Sequence, residues 1–124
     1  MLELATDPAA GVIEITVDGD ISRADFEAAV QAIETLVARH GRVNAVEVIR
    51  RIGTMPPSLW WRDLSYSVSH LDKFGRCAVV TDKGWIGPLA RFFAAFTHVE
   101  IRTFPPDELE AARLWARETP PPAA

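Results

Sequence analysis

A capped helix held between two strand-like runs restricts the fold of this chain more than any other feature. Val12-Ile-Glu-Ile-Thr-Val17 alternates with the period of a strand, and Val43-Asn-Ala-Val-Glu-Val-Ile49 is a second apolar run of strand length. Between them Ser22 is a natural N-cap, Asp25 holds the acid position of a capping box, and Ile21 can staple onto Phe26. Phe26, Ala29, Val30, Ile33, Leu36 and Val37 recur at helical spacing and Gly41 supplies a left-handed stop, which predicts a helix over residues 23–40. Strand, long helix, strand is the pattern of a right-handed crossover, so the two strands are expected as parallel neighbours.

The rest of the chain extends this unit. Residues 1–5 read as an edge strand, joined through the turn residues Asp7-Pro-Ala-Ala-Gly11 to the run at Val12. In that run Ile13, Ile15 and Val17 are expected to face a core, with Glu14 and Thr16 solvated, and Asp18-Gly19-Asp20 to end the strand. Residues 50–57 hold two prolines and a glycine and read as a loop. Ser58 caps a second helix, running to about Asp72 and lined by Trp61, Leu64, Val68 and Leu71. Cys77-Ala-Val-Val-Thr81 is a further strand stopped by Asp82-Lys83-Gly84, and Pro88 opens a short helix through Phe96. Val99-Glu-Ile-Arg-Thr-Phe104 alternates as the last strand. Asp107 and Glu110 form a capping box for a closing helix that turns Leu109, Ala112 and Trp115 or Ala116 inward.

The expected fold class is α/β. One domain over residues 1–118 has a mixed, mostly parallel five-stranded sheet, an antiparallel N-terminal strand and about four covering helices, and a disordered Pro-rich tail follows at 119–124. The pattern leaves the strand order open. At 124 residues and 48% apolar composition the chain fills one core and has little left for a second. A net charge of −4 argues against nucleic acid, which needs a dense basic face. The single cysteine, Cys77, allows no internal disulfide and brings no second thiol to a metal, and is expected as a buried, inert thiol in a reducing cytoplasm. No run approaches the roughly 20 apolar residues of a membrane span, and Met1-Leu-Glu-Leu lacks a signal-peptide pattern. The expected location is cytoplasmic, with peripheral contact to a membrane as the variant.

Three passages, in order, resemble the SpoIIAA-like family, a branch of the STAS (sulfate transporter and anti-sigma factor antagonist) superfamily. They are Ile13-Glu-Ile-Thr-Val-Asp-Gly-Asp-Ile-Ser22 leading into the long helix, Arg76-Cys-Ala-Val-Val-Thr-Asp-Lys-Gly-Trp85, and Phe104-Pro-Pro-Asp-Glu-Leu-Glu-Ala-Ala-Arg-Leu-Trp115. Each is loose alone; their order and spacing carry the likeness, which covers nearly the whole chain. It implies a small cytoplasmic fold that works by binding, with links to membranes or apolar ligands. Antagonists of the phospho-switch type carry a serine in an Asp-Ser-Ser-Gly-like turn after the third strand. Here that place reads Arg50-Arg-Ile-Gly-Thr-Met-Pro-Pro-Ser58, so the motif is absent and Ser58 is only a weak phosphosite candidate.

Nothing in the sequence assembles a catalytic site. His40, His70 and His98 have no carboxylate or thiol at metal-ligand spacing, and His40 is accounted for by the dipole at a helix end. There is no Gly-x-Ser-x-Gly elbow, and the glycines at 84 and 87 around Trp85 are an incomplete phosphate loop. No enzyme, metal or cofactor is expected.

The aromatic residues are the strongest signal. The helix at 88–96 has Arg91 as its only charge, while Leu89, Phe92, Phe93 and Phe96 exceed the stripe that a sheet face needs. Core packing is the plain explanation for most of them. Trp60 and Trp61, however, are adjacent on a helix and cannot share one core. The candidate ligand-binding residues are therefore Trp60, Trp61, Trp85, Leu89, Phe92, Phe93 and Phe96, around a cleft that the apolar helix can open. Arg50 and Arg51 are either a solvated pair or a basic surface for an acidic headgroup. The candidate partners are an apolar ligand or membrane surface, a protein, or a second copy of the chain. A phospho-switch antagonist and a small-molecule enzyme are the alternatives to this binding domain.

Overall fold

The computed structural model describes residues 1–53, 73–84 and 99–118. Leu2–Asp7 (β1) and Val12–Gly19 (β2) form the opening hairpin. Its turn is closed by the Gly11 N–H on the Asp7 carbonyl at 2.9 Å, with Gly11 at φ 70°, a conformation that costs a glycine nothing. Helix α1 is Arg23–His40, followed by Val43–Ile52 (β3), Phe74–Thr81 (β4) and Glu100–Phe104 (β5). A 3-10 turn, Pro106–Glu108, leads into the closing helix α2, Leu109–Arg117. The strands lie in the order β1-β2-β3-β4-β5, with β1 antiparallel to β2 and the other pairs parallel. The mixed, mostly parallel five-stranded sheet is thus present, and its order is sequential. Instead of about four covering helices, the described residues hold two α-helices. The segments read as the other two, and the tail at 119–124, lie outside the described residues.

Helix α1 has the bounds that its caps dictate. Ser22 Oγ accepts the Asp25 N–H and Asp25 Oδ2 accepts the Ser22 N–H, both at 3.1 Å, and Gly41 at φ 74° returns its N–H to the Val37 carbonyl at 2.7 Å. Because the box joins two otherwise unsatisfied donors to their partners, Ser22→Ala should lower the unfolding free energy by about 1 kcal/mol. An unchanged urea midpoint would contradict this. His40, in the last turn, does more than meet the helix dipole. Its Nε2 donates to the Pro8 carbonyl and its ring lies against Gly11, tying the hairpin turn to the end of α1.

The two helices cover opposite faces of the sheet. Ile33 and Leu36 of α1 pack on Ile13, Val43 and Ala45, whereas Ala112, Trp115 and Ala116 of α2 pack on Val12, Val46, Val48, Ala78, Val80 and Phe104. Both Trp115 and Ala116 turn inward. Strand β3 puts apolar residues on both sides, Val43 and Ala45 on one and Val46 and Val48 on the other, because both sides are covered. This two-layer cover corrects the reading of Glu14 as solvated. Glu14 lies under α2, where Arg113 clasps it through Nε at 2.7 Å and Nη2 at 2.9 Å. That hydrogen bond and the arginine charge hold the Glu14 carboxyl below its ordinary range against the opposing effect of burial.

Several boundaries also differ from the sequence reading; β1 continues to Asp7, for example, and β4 starts at Phe74. β2 runs through Gly19, and β3 continues through Arg50, Arg51 and Ile52, where a loop was expected. The extension exists because Asp18 pairs with Arg51 and Gly19 with Ile52 after a shift in register that leaves Arg50 as the extra residue. At the other end of the chain the Asp107–Glu110 capping box does not form. Pro105 is extended and Pro106 starts a 3-10 turn, so Asp107 already has helical backbone and α2 begins after Glu108 without a side-chain cap.

Candidate functional site

Strands β2, β3 and β4 are parallel and end at the same edge of the sheet, where antiparallel β1 begins. Ligands of open α/β sheets gather at this carboxyl edge, where backbone groups and loops are free of the ladder. Here the Met1 amine donates to the Asp18 carbonyl at 2.9 Å and to the Asp20 carbonyl, fixing the start of the chain across the end of β2. Arg51 Nε meets Asp18 Oδ1 at 2.6 Å. This hydrogen bond, then the charges of Arg51, Arg50 and the N-terminus, keeps the Asp18 carboxyl below its ordinary range. Arg50 is exposed. Both arginines are exposed, and of the two it is Arg51 that is tied to the Asp18 carboxylate. Lys83, beyond β4, lies 3.5 Å from its neighbour Asp82.

The β2 and β3 ends are locked together at Gly53. Its N–H donates to the Gly19 carbonyl at 3.1 Å, and a Cβ there would stand 2.3 Å from Asp20 Oδ1 and 2.5 Å from both Asp20 N and the Gly19 carbonyl carbon. The chain leaves β3 here. It leaves β4 after Thr81, one strand away at the same edge. Among the residues singled out from the sequence, Arg50 and Arg51 are described. Ser58, Trp60, Trp61, Trp85, Leu89, Phe92, Phe93 and Phe96 lie outside the described residues.

Sequence reasoning passed over Glu47. It interrupts the apolar β3 run, and that interruption was the available signal. Its register places it between Ile15 of β2 and Val79 of β4, on the face that α1 packs against. Cys77, expected in the sheet interior, is half-buried, at the border of the α1 cluster. Burial, and next the Glu47 charge, push its thiol well up. A thiol reagent should therefore label native protein far more slowly than unfolded protein. The sign of the pH effect follows, because a thiol pKa raised by folding adds stability that is present below the unfolded value of about 8.5 and lost as pH rises through the folded one. Rapid native labelling at neutral pH would contradict both expectations.

On the opposite face Arg76 organises the end of α2. Its side chain, 14% exposed, donates through Nη1 to the Trp115 carbonyl at 2.9 Å and to Glu118 at 3.1 Å, and through Nε to Glu100 at 3.0 Å. The guanidinium lies 4.8 Å from the Trp115 ring centroid. A cation is well placed at the carboxyl end of a helix, so this cluster is explained by structure. Among the described residues no group of three or more His, Cys, Asp or Glu is arranged to hold a metal ion, and no helix is long and apolar enough to cross a membrane.

A family profile described as SpoIIAA-like matches residues 12–117, from the start of β2 to the end of α2. The chain belongs to the SpoIIAA-like family. This SpoIIAA-like chain is also similar to the crystal structure of an uncharacterized protein from the DUF3478 family with a SpoIIAA-like fold from Shewanella loihica PV-4. The two share 18% identity over 94% of this chain and 92% of that one, with a TM-score of 0.73. At that identity the likeness is one of fold. No curated protein matches. Membership supports a regulatory domain of STAS type in general terms, and the sequential mixed sheet is its scaffold.

Proposed function

We propose that this SpoIIAA-like domain is a non-enzymatic binding module that takes a lipid or other apolar ligand, at a membrane surface or free, through Trp60, Trp61, Trp85, Leu89, Phe92, Phe93 and Phe96. The apolar stretch from Leu89 to Phe96 acts as its moving wall. The observation that carries the reading is topological. β3 and β4 are parallel neighbours, so the two segments that hold these residues leave the sheet at one edge, and Trp85 follows directly on Gly84 there. The same edge bears Arg50, exposed and free of the Asp18 contact that occupies Arg51, and Lys83 beyond β4. Apolar residues beside the exposed Arg50 and the half-buried Lys83 match a ligand with an apolar tail and an anionic head, and each cation near an acidic surface contributes about 1 kcal/mol.

Hydrogen exchange tests the proposal. Amides of residues 85–96 should exchange faster than those of α1 and should slow when anionic liposomes or a fatty acid are added. Native mass spectrometry of freshly purified protein should also retain a lipid mass. Protection equal to that of α1 and indifferent to lipid would assign the aromatic residues to the core, and the domain would then work as a protein-interaction switch.

A further inference from the structure

β5 closes the sheet on the side away from β1 and, among the described residues, pairs only with β4. The unused side of an edge strand offers a row of N–H and C=O groups that another strand can pair. Two side chains bear on which strand that is. Arg76 stands opposite Glu100 and Ala78 opposite Arg102, so Glu100 and Arg102 share the face that α2 covers. Glu100 gives one carboxylate oxygen to Arg76 Nε at 3.0 Å and stays 58% exposed. Arg102 is exposed, with its guanidinium 5.0 Å from the Phe104 ring centroid and no carboxylate partner among the described residues.

We infer that β5 is a homodimerisation edge and that its occupant is β5 of a second copy of this chain. Antiparallel pairing about a two-fold axis at Ile101 sets Ile101 opposite its own symmetry mate. It also sets Glu100 opposite the second copy's Arg102, and symmetry makes this exchange twice. Each Glu100 then lies between Arg76 of its own chain and Arg102 of the other, and each Arg102 gains a carboxylate. The opposite edge lacks this self-complementarity. β1 reads Leu-Glu-Leu-Ala-Thr-Asp, with acids and no basic side chain, so self-pairing there forms no side-chain pair of opposite charge. Single-sign charge protects an edge, whereas alternating sign on one face permits pairing with itself.

Sedimentation velocity of the full chain over a wide range of concentration tests the proposal. The expected result is a dimer that Arg102→Glu weakens by about tenfold or more, because two attractive pairs become two repulsive ones. Arg102→Gln, which removes the charge without reversing it, should weaken the dimer less than Arg102→Glu. In the unmodified protein, amides of residues 100–104 should gain exchange protection as concentration rises while those of residues 2–7 do not, a reading that needs no variant to fold. A monomer at every concentration overturns the inference. So does a dimer indifferent to Arg102→Glu, or concentration-dependent protection confined to β1.

Discussion

Trp115→Ala should reduce the unfolding free energy by about 3–5 kcal/mol, the range for deleting a large aromatic side chain from a core. Trp115 is 8% exposed and belongs to the cluster that joins α2 to β2, β3, β4 and β5. Its ring lies 6.0 Å from that of Phe104 at a tilt of 55°, an arrangement in which aromatic edges meet faces. The substitution also removes the surface over which Arg76 rests, leaving a guanidinium that is largely buried with less to cover it. The two small residues beside it, Ala112 and Ala116, are fully buried and cannot extend to fill the space. A domain of this size has about 5–15 kcal/mol of stability, so the loss is a large share of the total. Urea denaturation of both proteins measures it, with Trp115→Phe expected to cost clearly less. A loss below about 1 kcal/mol would mean that α2 is not docked through this indole.

The sequence was most legible where local chemistry decides the outcome. Ser22, Asp25 and Gly41 each act within one turn of α1, so both ends of the helix could be read without knowing what it packs against. The parallel relation of β2 and β3 followed in the same way, from the length of the helix between them. What depended on the second layer was not legible. Glu14 alternates like a solvated residue, and only the return of α2 brings Arg113 over it, a partner 99 residues away. Strand order is likewise a property of all the crossovers together. The β3 extension failed for another reason: Arg50 and Arg51 do not read as strand residues, yet the pairing of Asp18 with Arg51 carries the ladder through them. The candidate site divides along the same line. The aromatic surplus is visible in composition and spacing, whereas the common edge from which its two segments leave is a consequence of topology.

Gly53→Ala is the second substitution expected to have a large effect, and it bears on that edge. Gly53 needs no positive φ; it is excluded from carrying a side chain by close approach. Two of the atoms that a Cβ would meet inside 3 Å, Asp20 N and the Gly19 carbonyl carbon, are backbone, and only the third, Asp20 Oδ1, can swing aside. The ends of β2 and β3 must then separate, which stretches the Gly53 N–H bond to the Gly19 carbonyl and disturbs the Asp18 and Asp20 carbonyls that hold the Met1 amine. Overpacking of this kind costs about 1–3 kcal/mol. The loss should be local as well as global, so exchange should quicken at residues 18–20 and 51–53 more than at Val46 or Ala78 in the sheet centre. Gly53 is also the last described residue before the segment that holds Trp60 and Trp61. If those residues bind at the carboxyl edge, the slowing of exchange by anionic liposomes over residues 85–96 should weaken in Gly53→Ala under conditions where the variant remains folded. Wild-type stability together with wild-type lipid response would show that the close approach of β2 and β3 at this point constrains neither the fold nor the site.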